Sequence, residues 1–314
     1  MLTRLTSGHF ILLIAGCAFL LANSNAASGQ ENNPSATLVR VNGEAITQET
    51  FDRWLKSRLV SPTATAEVKK RLLNQLVDRT LIQQFLADRK IVADPKLIDA
   101  RFRSIQKGIR KAGDDPQKVL ARLGHTEESF RKELAFTLAW QRHARQTITR
   151  MELKELFDRE RPRYDGTELR ARQIFLKISP NADQQSRQKI INELNRIRSE
   201  IISGKTTFED AAKKYSASPS RVKGGDIGFF MYTGRIPVSI SRVAFSLKNK
   251  EISKPFLTSF GAHLIQVTDR RPGQLSLEDA RPELFKKLSQ ERWNATLSRL
   301  RKTAKIEWSA KPIP

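Results

Sequence analysis

The stretch Lys223-Gly224-Gly225-Asp226-Ile227-Gly228-Phe229-Phe230 is where residue types and spacing first suggest chemistry in this 314-residue chain. Three glycines in five residues supply positive φ and close backbone approach, as a tight loop needs whether it cradles an anion or feeds a strand. A phosphate cradle wants a preceding strand and a following helix. The apolar pair Phe229-Phe230 after the loop reads instead as a strand. Asp226 is then expected to order the loop, its carboxylate accepting backbone N–H groups, rather than to act as a base. No cluster of His, Cys or carboxylates has metal-ligand spacing, and neither a Ser/His/Asp nucleophile pattern nor a cofactor motif stands out, so the reading assigns no metal and no cofactor. His125 and His143 have no motif around them and read as structural or surface residues. His263 lies on an apolar strand, a position more often structural than catalytic.

The elements that must position this loop are legible in apolar periodicity and capping residues. Leu38 to Glu44 reads as a strand ending in an Asn42-Gly43 turn, and Thr47 as the cap of a helix carrying Phe51, Trp54 and Leu55. Val68 to Leu86 has a broad apolar stripe at helical spacing, Asp94-Pro95 opens a helix through Ile98, Phe102 and Ile105, and Thr126 begins another through Phe130, Leu134 and Leu138. A last helix over Thr149 to Tyr164, with Met151, Leu153, Leu156 and Phe157, leads to a basic hinge of Arg159, Arg161 and Arg163.

Leu169 to Ile178 then reads as the first strand of a new unit. A helix with Ile190, Leu194, Ile197 and Ile201 ends at Gly204, and Thr206 with Glu209 forms a capping-box pattern for the next. After the glycine loop, Ser239 to Leu247 suggests a short helix and Leu257 to Thr268 a turn with a final strand. This interleaving predicts an α+β unit. Past Pro272, Ser276 is expected to cap a helix through Leu284, Trp293 and Leu300, with Pro282 as a point of kinking, and Lys305 to Trp308 reads as a closing strand.

The glycine loop, Tyr215-Ser216 and Ser218 upstream of it, and Pro255-Phe256 and Phe260-Gly261-Ala262-His263-Leu264-Ile265 downstream together resemble the parvulin family of peptidyl-prolyl cis/trans isomerases. The resemblance covers about residues 168–271. The preceding helices, with Val41-Asn42-Gly43-Glu44-Ala45-Ile46-Thr47 at their start, resemble the N-terminal domain of SurA-like and PrsA-like foldases. The combined resemblance implies an α+β protein: a helical chaperone-like domain over 37–167, a parvulin domain with a small, mainly antiparallel sheet over 168–271, and a C-terminal helix and strand over 272–314 that return to the first domain.

By the same resemblance the proline pocket falls on Ile227, Ile236 and Ile240, where the family usually has leucine, methionine or leucine, and phenylalanine. The loop from Met231 to Pro237 is one residue longer than the common pattern. Phe245 reads as core rather than pocket wall. The polar network falls on Gln173, Ser218, Thr258 and His263. Parvulins commonly carry histidine at the Gln173 position and cysteine or aspartate at the Ser218 position, so this chain departs at two of the four. Glutamine can donate and accept hydrogen bonds but cannot titrate as imidazole does.

Composition sets the surroundings. The 56 basic against 33 acidic residues give +23, which would suggest nucleic acid, but the N-terminus argues otherwise. A short basic start at Arg4, an apolar run from Phe10 to Ala22 and small residues at Ser24-Asn25-Ala26 read as a secretory signal over residues 1–26, followed by a polar linker over 27–36. The run is too short for a membrane span. Cys17, the only cysteine, stands in a stretch resembling a lipoprotein box, but the apolar run continues past it, which favours a cleaved leader over a lipid anchor.

The expectation is therefore an exported protein of the periplasm or envelope, without nucleic-acid binding or a transmembrane span in the mature chain. Its partners would be unfolded or proline-containing polypeptides, with an acidic envelope surface as a further partner class. Three readings stay open: an isomerase and foldase, a parvulin-fold chaperone with little or no turnover, and a basic protein that docks on anionic lipid.

Overall fold

The computed structural model describes residues 36–179 and 181–309. The expected leader, Cys17 and the linker up to residue 35 lie outside the described residues. The described chain begins with a hairpin, β1 (Thr37–Val41) and β2 (Glu44–Thr47), paired antiparallel. Asn42 and Gly43 between them have φ of 51° and 87°, the left-handed pair that a two-residue turn needs to match strand twist. The sequence reading ended at this turn and missed β2, whose four residues are too few to show an alternation.

Thr47 closes β2 and caps α1 (Gln48–Ser57), its hydroxyl accepting the Thr50 N–H. Four more helices come after it, α2 (Ala66–Asp88), α3 (Pro95–Lys111), α4 (Pro116–Arg122) and α5 (Glu127–Thr147), and α6 (Arg150–Arg159) completes the series. Thr65, Asp94, Asp115, Thr126 and Thr149 each accept a backbone N–H from the first turn of the helix they precede, a bond worth about 1 kcal/mol per cap. Met151 departs from expectation: it is 70% exposed, while Leu153, Leu156 and Phe157 form the buried stripe of α6. The expected basic hinge is a tied segment, with Arg161 on Asp158 at 2.9 Å and Arg163 on Glu160 at 2.6 Å.

A four-stranded antiparallel sheet of order β4-β3-β6-β5 comes next in the chain, formed by β3 (Glu168–Lys177), β4 (Asp226–Met231), β5 (Phe256–Thr258) and β6 (Gly261–Arg271). On one face Ile174, Ala262 and Leu264 pack against α7 (Gln184–Ile202) and α8 (Phe208–Tyr215). On the other, Leu169, Ala171, Ile265 and Val267 pack against α9 (Val238–Ser246). The cap of α8 is Thr207 bonded to Asp210, one residue beyond the expected Thr206 and Glu209. Glu209 is drawn away by Lys213 of its own helix at 3.0 Å and by Arg172 of β3 at 3.1 Å, the latter a tertiary partner that local sequence does not reveal.

The chain then returns. Ser276 and Asp279 form a capping box for α10 (Leu277–Thr303), which runs without interruption through Pro282 in its second turn. Ala280 and Leu284 bury against Leu153, Leu156 and Phe157. Trp293 meets Trp140 edge-on at 4.9 Å and Phe136 at 5.9 Å. Arg292 pairs with Glu152 and Lys287 with Glu160, both at 2.5 Å. Finally β7 (Ile306–Trp308) adds to β1 on the side away from β2, giving a second sheet of order β2-β1-β7.

Because α10 docks on α6, the four-stranded sheet leaves and rejoins the helical unit at one neck. There Leu275 N–H donates to the Asp165 carbonyl at 2.8 Å and Gly273 N–H to Thr167 Oγ1 at 3.1 Å. A Cβ on Gly273 would lie 2.0 Å from the Asp165 carbonyl oxygen, so only glycine lets the two chain segments run side by side. Leu284 is fully buried in the α10–α6 contact. Leu284→Ala is expected to cost about 2–5 kcal/mol, read as a lowered denaturant midpoint with an unchanged slope. A loss under about 1 kcal/mol would mean that α10 is not held by this contact.

Candidate active site

The glycine loop brings two strands and a turn together. Ser218 opens a 3-10 turn over Pro219–Lys223 that ends at Gly224, with Gly224 and Gly225 at φ of 62° and 83°. The Gly225 carbonyl accepts the Gln173 N–H at 2.9 Å. A Cβ on Gly225 would stand 2.5 Å from the Gln173 carbonyl oxygen, so the loop can lie against β3 only without a side chain there. Asp226 orders the start of β4, as expected: its Oδ1 accepts the Gly228 N–H at 2.9 Å, and its carboxylate pairs with Arg170 at 2.6 Å. The Arg170 bond holds the Asp226 carboxyl below the usual carboxylate range.

This approach puts Gln173 beside Ser218, Gln173 Nε2 donating to Ser218 Oγ at 3.1 Å. Ser218 Oγ also accepts the Ser220 N–H at 3.3 Å and lies 3.0 Å from Ser220 Oγ. Ser216 Oγ accepts the backbone N–H groups of both Phe175 and Ser218, at 3.1 and 3.2 Å, and so pins β3 to the turn. Ser216 and Ser220 were not assigned from the sequence. Their serine-rich surroundings were visible, but Ser216 answers to backbone groups, one of them distant in the chain, and Ser220 reaches the Ser218 hydroxyl only through the turn.

The sheet register builds the other half. Gln173 pairs with Ile265, Phe175 with His263, and Phe256 with His263, so these side chains share the α9 face. The imidazole is held between two rings, Phe175 at 4.9 Å and Phe256 at 5.4 Å, the latter stacked within 21°. His263 Nε2 lies 2.9 Å from Thr258 Oγ1, which also accepts the Phe260 N–H at 3.1 Å. His263 is only 3% exposed and its Nδ1 has no hydrogen-bond partner among the described residues. Burial pushes its pKa down to about 4, leaving a neutral ring. Gly261 lets the start of β6 lie against β3, since a Cβ there would meet the Leu176 carbonyl oxygen at 2.4 Å.

Ile227, Ile236 and Ile240 join one apolar cluster with Leu169, Phe230 and Ile265. Ile240 is buried at its base, whereas Ile227 and Ile236 are half-buried and form its accessible side. Phe245 packs on the cluster, edge-on to Tyr232 at 5.3 Å. Arg235 is the residue that sequence reading missed. Its Nη2 donates to the carbonyls of Ile227 at 2.5 Å and Phe229 at 3.0 Å, along the open edge of β4. One guanidinium thus blunts a strand edge and ties the 231–237 loop, with Ile236, to the cluster. An arginine in a loop carries no signal of this in one dimension.

The site residues therefore meet as two bonded polar pairs beside an apolar wall. Every group in them is neutral. His125 and His143 stand apart, as expected for structural residues: His125 is bonded to Ser129 at 3.2 Å, and His143 lies against Phe85 and Trp140, each at 5.2 Å.

Comparison with known proteins gives two family matches, a PPIC-type PPIASE domain over residues 174–269 and a SurA-like N-terminal domain over residues 4–144. A Haemophilus influenzae protein named as a SurA peptidyl-prolyl cis-trans isomerase is 37% identical over 148 residues, 46% of this chain and 46% of that protein, so the match spans about half of that relative's length. Foldase protein PrsA 2 of Bacillus cereus is 27% identical over 288 residues, covering 91% of this chain and 86% of its own. The solved structure of PrsA from Bacillus anthracis aligns at 21% identity with a TM-score of 0.45, over 74% of this chain and 96% of that one.

The buried imidazole makes stability depend on pH. Its folded pKa of about 4 lies below the ordinary 6.5, so between those values the unfolded chain binds a proton that the folded chain refuses. This contribution is complete above about pH 6.5 and is lost as pH falls towards 4, by on the order of 3 kcal/mol. In denaturant titrations across this range, wild type should lose on the order of 3 kcal/mol relative to His263→Phe as pH falls from 6.5 to 4. A difference that stays constant would mean that His263 titrates normally.

Proposed function

Because the chain belongs to the parvulin-type peptidyl-prolyl isomerases, joining a SurA-like N-terminal domain to a PPIC-type domain, we propose that it catalyses cis/trans isomerisation of Xaa-Pro bonds in unfolded exported proteins. The observation that carries this reading is the meeting of Gln173–Ser218 and Thr258–His263 beside Ile227, Ile236 and Ile240 on one sheet face. The leader-like N-terminus supports work in the periplasm or envelope.

Prolyl isomerisation breaks no bond; its barrier of about 20 kcal/mol is amide resonance. A site lowers it by seating the proline ring on an apolar wall and favouring the twisted amide over the planar one. The three isoleucines supply the wall. Ser218 Oγ accepts hydrogen bonds from Gln173 Nε2 and the Ser220 N–H, which leaves its own proton to be donated to Ser220 Oγ or to the client's amide. His263 acts as a positioning residue, its ring stack and Thr258 bond holding the β5–β6 turn at the edge of the wall.

A second reading has its own support. With Gln173 and Ser218 in place of titrating groups, and with His263 Nδ1 lacking a partner among the described residues, the fold could serve as a client-binding surface with little turnover. Exchange NMR on short Xaa-Pro peptides separates the two. The isomerase reading expects clear wild-type turnover, a loss of about tenfold in Ser218→Ala from one hydrogen bond, and a rise in KM for Arg235→Ala as Ile236 loosens. Turnover absent from wild type but gained in Gln173→His would favour the chaperone reading. Turnover absent from both would also discard the site as drawn.

A further inference from the structure

The net charge of +23 is not spread evenly, and α3 concentrates part of it in a form the fold does not use. Ile98, Phe102, Ile105 and Ile109 recur at helical spacing on its inner side, where Phe102 packs against Phe130 of α5 at 6.1 Å. Lys96, Arg103, Lys107 and Arg110 recur at intervals of seven, four and three on the outer side, with Lys111 beside them, and all five are exposed. Among the described residues none of these five side chains has an ion-pair or hydrogen-bond partner. The carboxylates nearby are committed or set apart: Asp99 to Arg131, Asp94 and Asp115 to helix caps, and Asp114 to the exposed turn after α3. Arg131, by contrast, is held by both Asp99 and Glu127, which shows what a structural cation in this unit looks like.

The shape of the stripe narrows the partner. Fourteen residues of helix separate Lys96 from Arg110, about 21 Å at 1.5 Å per residue. Ala100, Ser104 and Gly108 on the exposed side are small, and Arg101 adds a further exposed cation, so the long charged side chains form a ridge that several headgroups can meet at once. Leu97, 43% exposed in the first turn, is the one large apolar side chain exposed on α3, and no aromatic is exposed there, so the stripe offers no row of apolar seats for the side chains of a polypeptide.

We propose that the outer face of α3 docks this protein on an anionic bilayer surface, the stripe Lys96, Arg103, Lys107 and Arg110 lying along phospholipid headgroups. The attraction acts within a Debye length of about 8–10 Å and adds roughly fivefold in binding per cation near the surface. It does not rest on the isomerase reading, because α3 belongs to the helical unit and shares no residue with the polar pairs of the sheet.

The test is co-sedimentation of the full mature chain with phosphatidylglycerol–phosphatidylcholine vesicles and with phosphatidylcholine alone. One variant changes Lys96, Arg103, Lys107 and Arg110 to serine. A second removes the same charge elsewhere, changing Lys177, Lys205, Lys248 and Lys254 to serine. Circular dichroism checks that both keep their helix content. The expected result is binding to anionic vesicles only, falling steeply with salt, reduced at least ~100-fold in the α3 variant and only slightly in the second. Equal losses in the two variants would reduce the effect to bulk charge and overturn the proposal. So would tighter binding to a polyglutamate peptide than to anionic vesicles, with the α3 variant losing both, because the stripe would then be a site for acidic polypeptides. Binding retained by the α3 variant would overturn it as well.

Discussion

The register of β3 against β6 is the constraint on which the rest of the α+β unit depends. The two strands pair from Glu168 opposite Arg271 to Lys177 opposite Gly261, with one bulge between Arg170 and Ala171. Side chains alternate along a strand, so a slip of one residue would send Gln173, Phe175 and His263 to the face that packs on α7 and α8, and Ile174 and Leu264 out of it. The neighbours are pinned to this ladder by glycines. Gly225 lies on the Gln173 carbonyl and Gly261 on that of Leu176, each at a distance no Cβ would allow. The loop and the turn that carry Ser218 and Thr258 are located by backbone contact with the ladder, and their side chains inherit the position.

The helical unit is held by a different device, the return of the chain's end. With α10 packed on α6 and β7 added to β1, the last described residues complete the core of the first. The sheet unit is in effect an insertion between α6 and α10, joined through a neck in which Asp165 and Thr167 grip Gly273 and Leu275. Both segments of the neck enter and leave side by side. The aromatic contacts of Trp293 with Trp140 and Phe136 lie deeper in the helical unit, far from the neck in sequence, so the two parts have separate cores.

What could be read from the sequence divides along the same line between local and distant causes. Asp94-Pro95, Thr126, Thr149 and Ser276 announce helix starts because a cap is satisfied within four residues, and the structure has each of those helices. The α8 cap was misjudged by one residue because Glu209 answers to Arg172 on another strand. β2 was missed because four residues hold no periodicity. Within the site, Gln173, Ser218, Thr258 and His263 could be named through resemblance, but their division into two bonded pairs is a product of register and loop approach. Arg235 had no such route, because its meaning depends on two carbonyls that exist as a target only once β4 is an edge.

The neutrality of the proposed site suits the chemistry assigned to it. Rotation about an amide moves no proton and releases no leaving group, so a site for it has no need of a group that titrates near neutral pH. A buried imidazole with a pKa of about 4 cannot serve as a proton shuttle under ordinary conditions, but stacked between Phe175 and Phe256 it is a rigid support for Thr258 and the β5–β6 turn. Glutamine at position 173 completes the same logic: it donates to Ser218 at every pH, where a histidine would do so only in one tautomer or when charged. The replacement therefore removes titration from the network without removing its hydrogen bond. A hydrogen-bonded wall of fixed geometry is what selective stabilisation of a twisted, uncharged amide requires.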